Sequence, residues 1–251
     1  MNGRLFLNVL EYDELASTNS EAKLLLPNLK GSNFLLWARR QTEGRGQRGN
    51  TWFSGAYKDV AMTLVFRPTN LLVEHQFMLN VMVCNAVREF VASHVMEKKV
   101  EVKWPNDVLI NEKKVCGILI ENSIRGVDID SSVIGVGLNV NSMEFPLKLG
   151  NVTSLLIENP LLELSQRESV FQLASFVEKE FLEWNENEAM RKYLNHLLGY
   201  NKLRKFKKDN IEFEGLVRGV ESDGKLIMLC EEGEKKFDFK EVEFVYGETL
   251  N

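Results

Sequence analysis

Glu43-Gly44-Arg45-Gly46-Gln47-Arg48-Gly49-Asn50-Thr51-Trp52-Phe53 is the stretch around which the rest of the chain is read. Its closely spaced glycines leave the backbone free to approach a ligand and to adopt positive φ. Arg45 and Arg48 make the loop cationic, and guanidinium forks match the geometry of phosphate and carboxylate. Trp52 ends it with a large flat surface. Phe34 to Arg39, just upstream, is a compact apolar run that predicts a buried strand feeding the loop. Asp59 to Arg67, downstream, is rich in Val, Thr and Phe and predicts a second strand, stopped by Pro68.

A second informative segment lies further on: Lys103-Trp104-Pro105-Asn106-Asp107, followed by Gly117-Ile118-Leu119-Ile120-Glu121. Around these anchors the patterning is mixed. Leu5 to Tyr12 reads as an opening strand. Ser17-Thr18-Asn19-Ser20 offers N-cap oxygens to a short helix, Glu21 to Leu26. Glu74 to Met96 carries apolar residues at helical spacing and predicts a long buried helix. Val100 to Lys103 is a short strand. Asp107 to Ile110 and Lys114 to Ile124 form a hairpin about Asn111-Glu112-Lys113, and Ser132 to Val140 adds another strand. Ser165 to Leu198 reads as mostly helical.

After Gly199 the character changes to short strands, Ile211 to Val220, Lys225 to Leu229, Glu234 to Phe239 and Val242 to Val245, broken at Ser222-Asp223-Gly224 and Glu232-Gly233. The expectation is an α+β chain: a mixed sheet flanked by helices over residues 1–198, and a small antiparallel barrel over 199–251.

The 251 residues carry a net charge of −5 and 44% hydrophobic residues, enough for a sizeable core. A nucleic-acid-binding chain is more often basic, and Lys202 to Lys208 is the one dense basic stretch. No apolar run approaches the length of a membrane span. The N-terminus lacks a secretory signal core, so the expected compartment is the cytoplasm. Cys84, Cys116 and Cys230 form no CxxC pair, and His75, His94 and His196 form no metal-ligand spacing, so no protein-held metal is expected.

Taken with the motifs, the chain resembles the biotin–protein ligases, with specific motifs over roughly residues 12–141. That family has a class II synthetase-like catalytic domain followed by an SH3-like domain. It activates biotin with ATP to biotinyl-AMP and passes it to a lysine of a carboxylase's biotin carrier domain. Such chemistry needs no protein nucleophile, because the substrate carboxylate attacks the α-phosphate. It needs cations and N–H donors, with Mg²⁺ brought by the ATP phosphates.

The resemblance implies the following roles. Ser17, Thr18 and Asn19 match the segment that binds the ureido head of biotin, and Gln41 a glutamine near its ring. Gly44, Arg45, Gly46 and Gln47 belong to the loop that folds over the ligand, with Arg45 on the activated carboxyl-phosphate. Arg48 and Trp52 serve the nucleotide side, Trp52 as a wall. Lys103 is expected to be the electrostatic catalyst at both biotin and ATP. Gly117 lets the backbone meet biotin, and Asn139, in Gly135 to Asn141, lies beside the adenine. Read without the resemblance, the Ser-Thr-Asn segment is a helix cap, the glycine loop a surface turn, Trp52 a packing residue and Gly117 a bulge.

One position departs from the pattern: many family members have arginine where this chain has Gln47. The family's SH3-like strands match Glu214 to Val220 and Asp223 to Leu226 only loosely. With the Ser-Thr-Asn segment beginning at residue 17, no DNA-binding domain is expected ahead of it. The expected state is a monomer or weak homodimer. Two other readings remain open: a lipoate–protein ligase, whose loop usually carries three consecutive glycines and a nearby histidine, both missing here, and a non-enzymatic biotin- or peptide-binding module.

Overall fold

The computed structural model describes residues 5–246 apart from Leu7 and Lys30. The larger part comprises β1 (Asn8–Leu15), α1 (Thr18–Leu25), β2 (Phe34–Gln41), β3 (Val60–Phe66), α2 (Phe77–His94), β4 (Val100–Lys103), β5 (Asp107–Ile110), β6 (Lys113–Arg125), β7 (Asp128–Leu138), α3 (Leu155–Glu158), α4 (Gln166–Leu182) and α5 (Glu186–Asn195). Its strands form one sheet in the order β1-β2-β3-β7-β6-β5-β4. β1 runs parallel to β2 and the other neighbours are antiparallel. β8 (Leu203–Lys208), β9 (Ile211–Val220), β10 (Leu226–Cys230), β11 (Gly233–Phe237) and β12 (Glu243–Phe244) make a second, antiparallel sheet in the order β11-β10-β9-β8-β12. This is the expected α+β class, and the second sheet is consistent with an SH3-like domain.

Alternation of side chains explains why β2 and β3 are apolar throughout. Leu35, Trp37, Met62 and Leu64 join the large core with α2 and α4, while Phe34, Leu36 and Val65 pack on the opposite face with Ala22 of α1. The same rule on β6 sends Cys116 and Ile118 into the large core and turns Gly117, Leu119 and Glu121 to the α1 face. On that face the register aligns Ala61, Gly137 and Gly117 in one rung, and Thr63, Gly135 and Leu119 in the next. These small residues leave a trough in the sheet beside α1.

Several boundaries differ from the sequence reading. β1 begins at Asn8, and Leu7 lies outside the described residues. α1 starts at Thr18, so Thr18, Asn19 and Ser20 form its first turn and Ser17 alone caps it, accepting from Ser20 N. α2 starts at Phe77, after a separate 3₁₀ turn. β7 is shifted to Asp128–Leu138.

The helical stretch after Ser165 is two helices, because Asn185 breaks the first and caps the second through Glu188 N. Ser165 and Glu168 start α4 with a reciprocal capping box. The short α3, capped by Ser154, was not foreseen. β8 was not foreseen either: the basic stretch hides a period of two that buries Arg204 and Phe206.

The two sheets share one continuous core. The Trp104 indole N–H donates to Gly224 O at 2.9 Å, and buried Arg204 pairs with Glu112 of the β5–β6 turn at 2.7 Å. β12 is thereby held over the open side of the trough. The three cysteines are free thiols, and burial pushes those of Cys84 and Cys116 upward, as fits packing residues.

Candidate functional site

The trough, α1, the glycine loop and the second sheet enclose a cavity of about 860 Å³. Ser17, Thr18, Asn19, Gln41, Arg45, Gly46, Gln47, Trp52, Lys103 and Gly117 all line it, so most of the sequence-designated residues converge on one place. Gly44 and Asn139 do not line it. Gly44 lies behind the loop, where a Cβ would come within 2.7 Å of Gln41 Nε2, so its lack of a side chain makes room for that amide. Asn139 is buried behind β6, its amide donating to Thr153 O at 2.9 Å. Arg48 has its backbone in the 3₁₀ turn Gln47–Gly49, and its side chain lies outside the described structure.

The polar end beside α1 has its hydrogen-bonding sense set by the protein. Gln41 Oε1 accepts from Thr18 N at 2.9 Å and from Thr18 Oγ1 at 3.2 Å. Its oxygen is thereby assigned, and the Nε2 hydrogens remain to donate. Asn19 is oriented the other way. Its Nδ2 donates to Glu121 Oε2 at 3.0 Å and Leu119 O at 3.3 Å, and Thr63 Oγ1 donates to its Oδ1 at 2.7 Å. Both amide hydrogens are used, so Asn19 offers a ligand only an acceptor lone pair. The Ser17 hydroxyl, which accepts the cap bond, keeps its proton to donate.

Trp52 lies flat on the glycine floor. A Cβ on Gly117 would meet its ring at 2.9 Å, and one on Gly137 would overlap the indole nitrogen. That buried indole N–H has no partner among the described residues. Above the ring stands Lys114, its Nζ 5.5 Å from the ring centroid and 2.7 Å from Asp107 Oδ1. Lys103 Nζ instead sits 5.0 Å from the ring centroid of Tyr246, just past β12, and 5.7 Å from that of Phe244 in β12. Lys148 and Lys240 also reach the cavity wall, so with Arg45, Lys103 and Lys114 the cations of its lining outnumber the carboxylates, Asp107 and Glu243.

Lys114, Lys148 and Lys240 were missed by sequence reasoning. For Lys114 the reason is a register shift between Val108 and Leu109. Simple alternation would set Lys114 and Gly117, three residues apart, on opposite faces; the bulge brings both to the cavity. Lys148 and Lys240 arrive from loops remote in sequence and carried no local signal. Among the described residues no cluster of three or more His, Cys, Asp or Glu side chains could hold a metal ion. No helix among them is long and apolar enough to cross a membrane.

Residues 13–139, about half the chain, match the biotin/lipoate A/B protein ligase family. The chain is 27% identical over 241 residues to the bifunctional ligase/repressor BirA of Bacillus subtilis, covering 94% of this chain and 74% of that protein. It is 38% identical over 134 residues to the biotin–[acetyl-CoA-carboxylase] ligase of Paracoccus denitrificans, which is 49% of this chain and 51% of that protein. Among solved structures, the biotin protein ligase of Aquifex aeolicus in complex with biotin and ATP superposes with a TM-score of 0.71 at 26% identity, covering 96% of this chain and all of that one. The motif-bearing half of the chain, folded around this cavity, belongs to the biotin/lipoate A/B protein ligase family.

Proposed function

We infer that this chain is an ATP-dependent biotin–protein ligase that makes biotinyl-5′-AMP and transfers biotin to a lysine of a carboxylase's carrier domain. The observation that carries the choice of acid is the oriented pair at the polar end. Gln41 can only donate there and Asn19 can only accept. A cyclic urea presents a carbonyl and N–H groups and satisfies both. The dithiolane ring of lipoate has neither, and would cover the Gln41 N–H groups without offering them an acceptor, at a cost of about 1–3 kcal/mol.

The chemistry follows from the charges. A carboxylate oxygen attacks the α-phosphorus, a P–O bond to the leaving pyrophosphate breaks, and a mixed anhydride forms. The acceptor amine then attacks the acyl carbon and AMP departs. Both steps crowd negative charge in the cavity that Arg45, Lys103 and Lys114 line, and cations held there stabilise the transition state more than the separated reactants. Lys114 is held in place by Asp107 and the Trp52 face, so little reorganisation accompanies the reaction. Mg²⁺, when it arrives on the ATP phosphates, supplies further charge neutralisation.

In this reading Ser17, Thr18, Asn19, Gln41 and Gly117 serve the biotin ring, while Gly44, Gly46 and Gln47 shape the loop. Arg48, Trp52 and Asn139 are assigned to the nucleotide side; Asn139 would act there through the backbone it braces rather than by touching the ligand. We divide the chain at 198/199, the second domain supplying Phe244, Tyr246 and Lys240 to the cavity rim. Free cysteines and ATP use suit the cytoplasm, and the net charge of −5 gives no support to nucleic-acid binding.

The test is to incubate the protein with Mg²⁺-ATP and either biotin or lipoate and to analyse for acyl-AMP by mass spectrometry. Biotinyl-AMP is expected. Lipoyl-AMP would move the chain to the sister activity, and neither product from folded protein would leave a binding module.

A further inference from the structure

Arg45 stands between two cavities. It lines the main one and also a second, of about 690 Å³, on the outer side of the glycine loop, where Glu121 forms part of the wall. The loop backbone around it is pinned: Trp52 N donates to Gly44 O at 2.8 Å, Gly46 N to Asn50 O at 2.7 Å, and Arg45 bridges Thr51. The freedom left is in the half-exposed side chain. It points outward, Nη2 to Glu121 Oε1 at 3.1 Å and Nη1 to Ser20 Oγ at 3.5 Å. A guanidinium engaged in that direction is not clamping an anion in the main cavity.

Glu121 is suited to giving this cation up. Its Oε1 also takes Lys23 Nζ at 2.5 Å, and its Oε2 takes Asn19. Burial pushes its carboxyl upward, but the hydrogen bonds from Lys23 and Asn19 and the charges of Lys23 and Arg45 outweigh that and hold it below the usual range. When Arg45 leaves, Lys23 still neutralises Glu121, so no uncompensated charge is stranded.

Resting on the ligase reading, we propose that Glu121 is a positioning residue for adenylation: it parks Arg45 outward and yields it to the anion of the bound ligand. The Arg45 clamp is then an exchange of one ion pair for another. Its net grip on the adenylate is the difference between the two, which keeps the Arg45 side chain easy to release when the acceptor lysine arrives.

Two measurements on Glu121→Gln, Arg45→Ala, the double variant and Lys23→Met test this. The first uses protein alone: the rate of tryptic cleavage after Arg45. Glu121→Gln should raise it by about two- to fivefold, the range of a partly exposed ion pair. Lys23→Met should lower it, because Glu121 then has one cation fewer; a general folding defect would raise both. The second is the dissociation rate of biotinyl-AMP. Glu121→Gln should slow it by a similar factor, and should have no effect in the Arg45→Ala background. Unchanged cleavage, faster adenylate release, or an equal effect of Glu121→Gln with and without Arg45 would overturn the proposal. A wild-type protein that forms no biotinyl-AMP would overturn the ligase reading instead, while the tryptic comparison would still decide whether Glu121 parks Arg45.

Discussion

Lys103 and Lys114 both reach the cavity in different company, and that difference assigns their work. Lys114 is pinned by Asp107 over the Trp52 ring, which covers the glycine floor. Lys103 lies under the rings of Phe244 in β12 and Tyr246 just after it. Replacing Lys114 by Ala is expected to lower the adenylation rate by about 10²-fold, the scale of a lost preorganised charge. Lys103→Ala is expected to do the same if it reaches the carboxyl-phosphate as the resemblance implies. Single-turnover formation of biotinyl-AMP separates the two, and near-normal turnover of either variant removes that lysine from the chemistry. Gln47 lines the cavity at the position where the resemblance implies arginine. A Gln47→Arg protein should therefore release biotinyl-AMP more slowly; an unaltered release rate in a chase experiment would show that the position has no hold on the adenylate. Ser17, Thr18, Asn19 and Gln41 were legible as a group from the motif. The opposite orientations of Asn19 and Gln41 were not, because each is set by a hydrogen bond from a residue the motif does not contain, or contains without direction.

At the scale of the elements, the decisive object is the pair β6–β7. Gly117 and Gly137 face each other across it, and Trp52 occupies the space their missing side chains leave. A methyl group at Gly137 would overlap the indole, so Gly137→Ala should expel the ring from the trough. The expected readout is a red shift in tryptophan emission that disappears when Trp52 is also changed to Phe; an unshifted spectrum would mean the floor yields instead of the ring. The long helix α2 could be read from its helical spacing, and the β5–β6 hairpin and β9 from apolar runs bounded by turn residues, signals that a single bulge does not erase. β8 could not: Arg204 is buried by pairing with Glu112, and an inward-facing arginine destroys the apolar alternation that marks a strand. The break between α4 and α5 was hidden because the apolar stripe continues through it while Asn185 turns the chain.

Across the whole molecule, a few buried polar ties hold the parts in register. Glu158 of α3 takes Thr153 Oγ1 and Lys98 Nζ at 2.7 Å each and Lys113 Nζ at 3.5 Å, joining α3, the α2–β4 link and the start of β6. Burial pushes its carboxyl upward, but the bonds from Lys98 and Thr153 and the charges of Lys113 and Lys98 win and depress it below its ordinary 4.5. A depressed carboxyl contributes stability in full above the unfolded value, and loses it as pH falls through the lower folded value. Thermal stability should therefore decline below about pH 4.5, and Glu158→Gln should flatten that acid limb; parallel wild-type and variant curves would show that Glu158 is not its source. By itself the sequence determined the α+β class, the glycine loop, the motif residues and the chemistry they suit, because periodicity and glycine and proline placement act locally. Only the tertiary structure decided that Lys114 joins the site, that Asn19 accepts while Gln41 donates, and that Arg45 rests on Glu121. Those outcomes depend on strand register, a bulge and ion pairs spanning up to about a hundred residues, which no local pattern encodes.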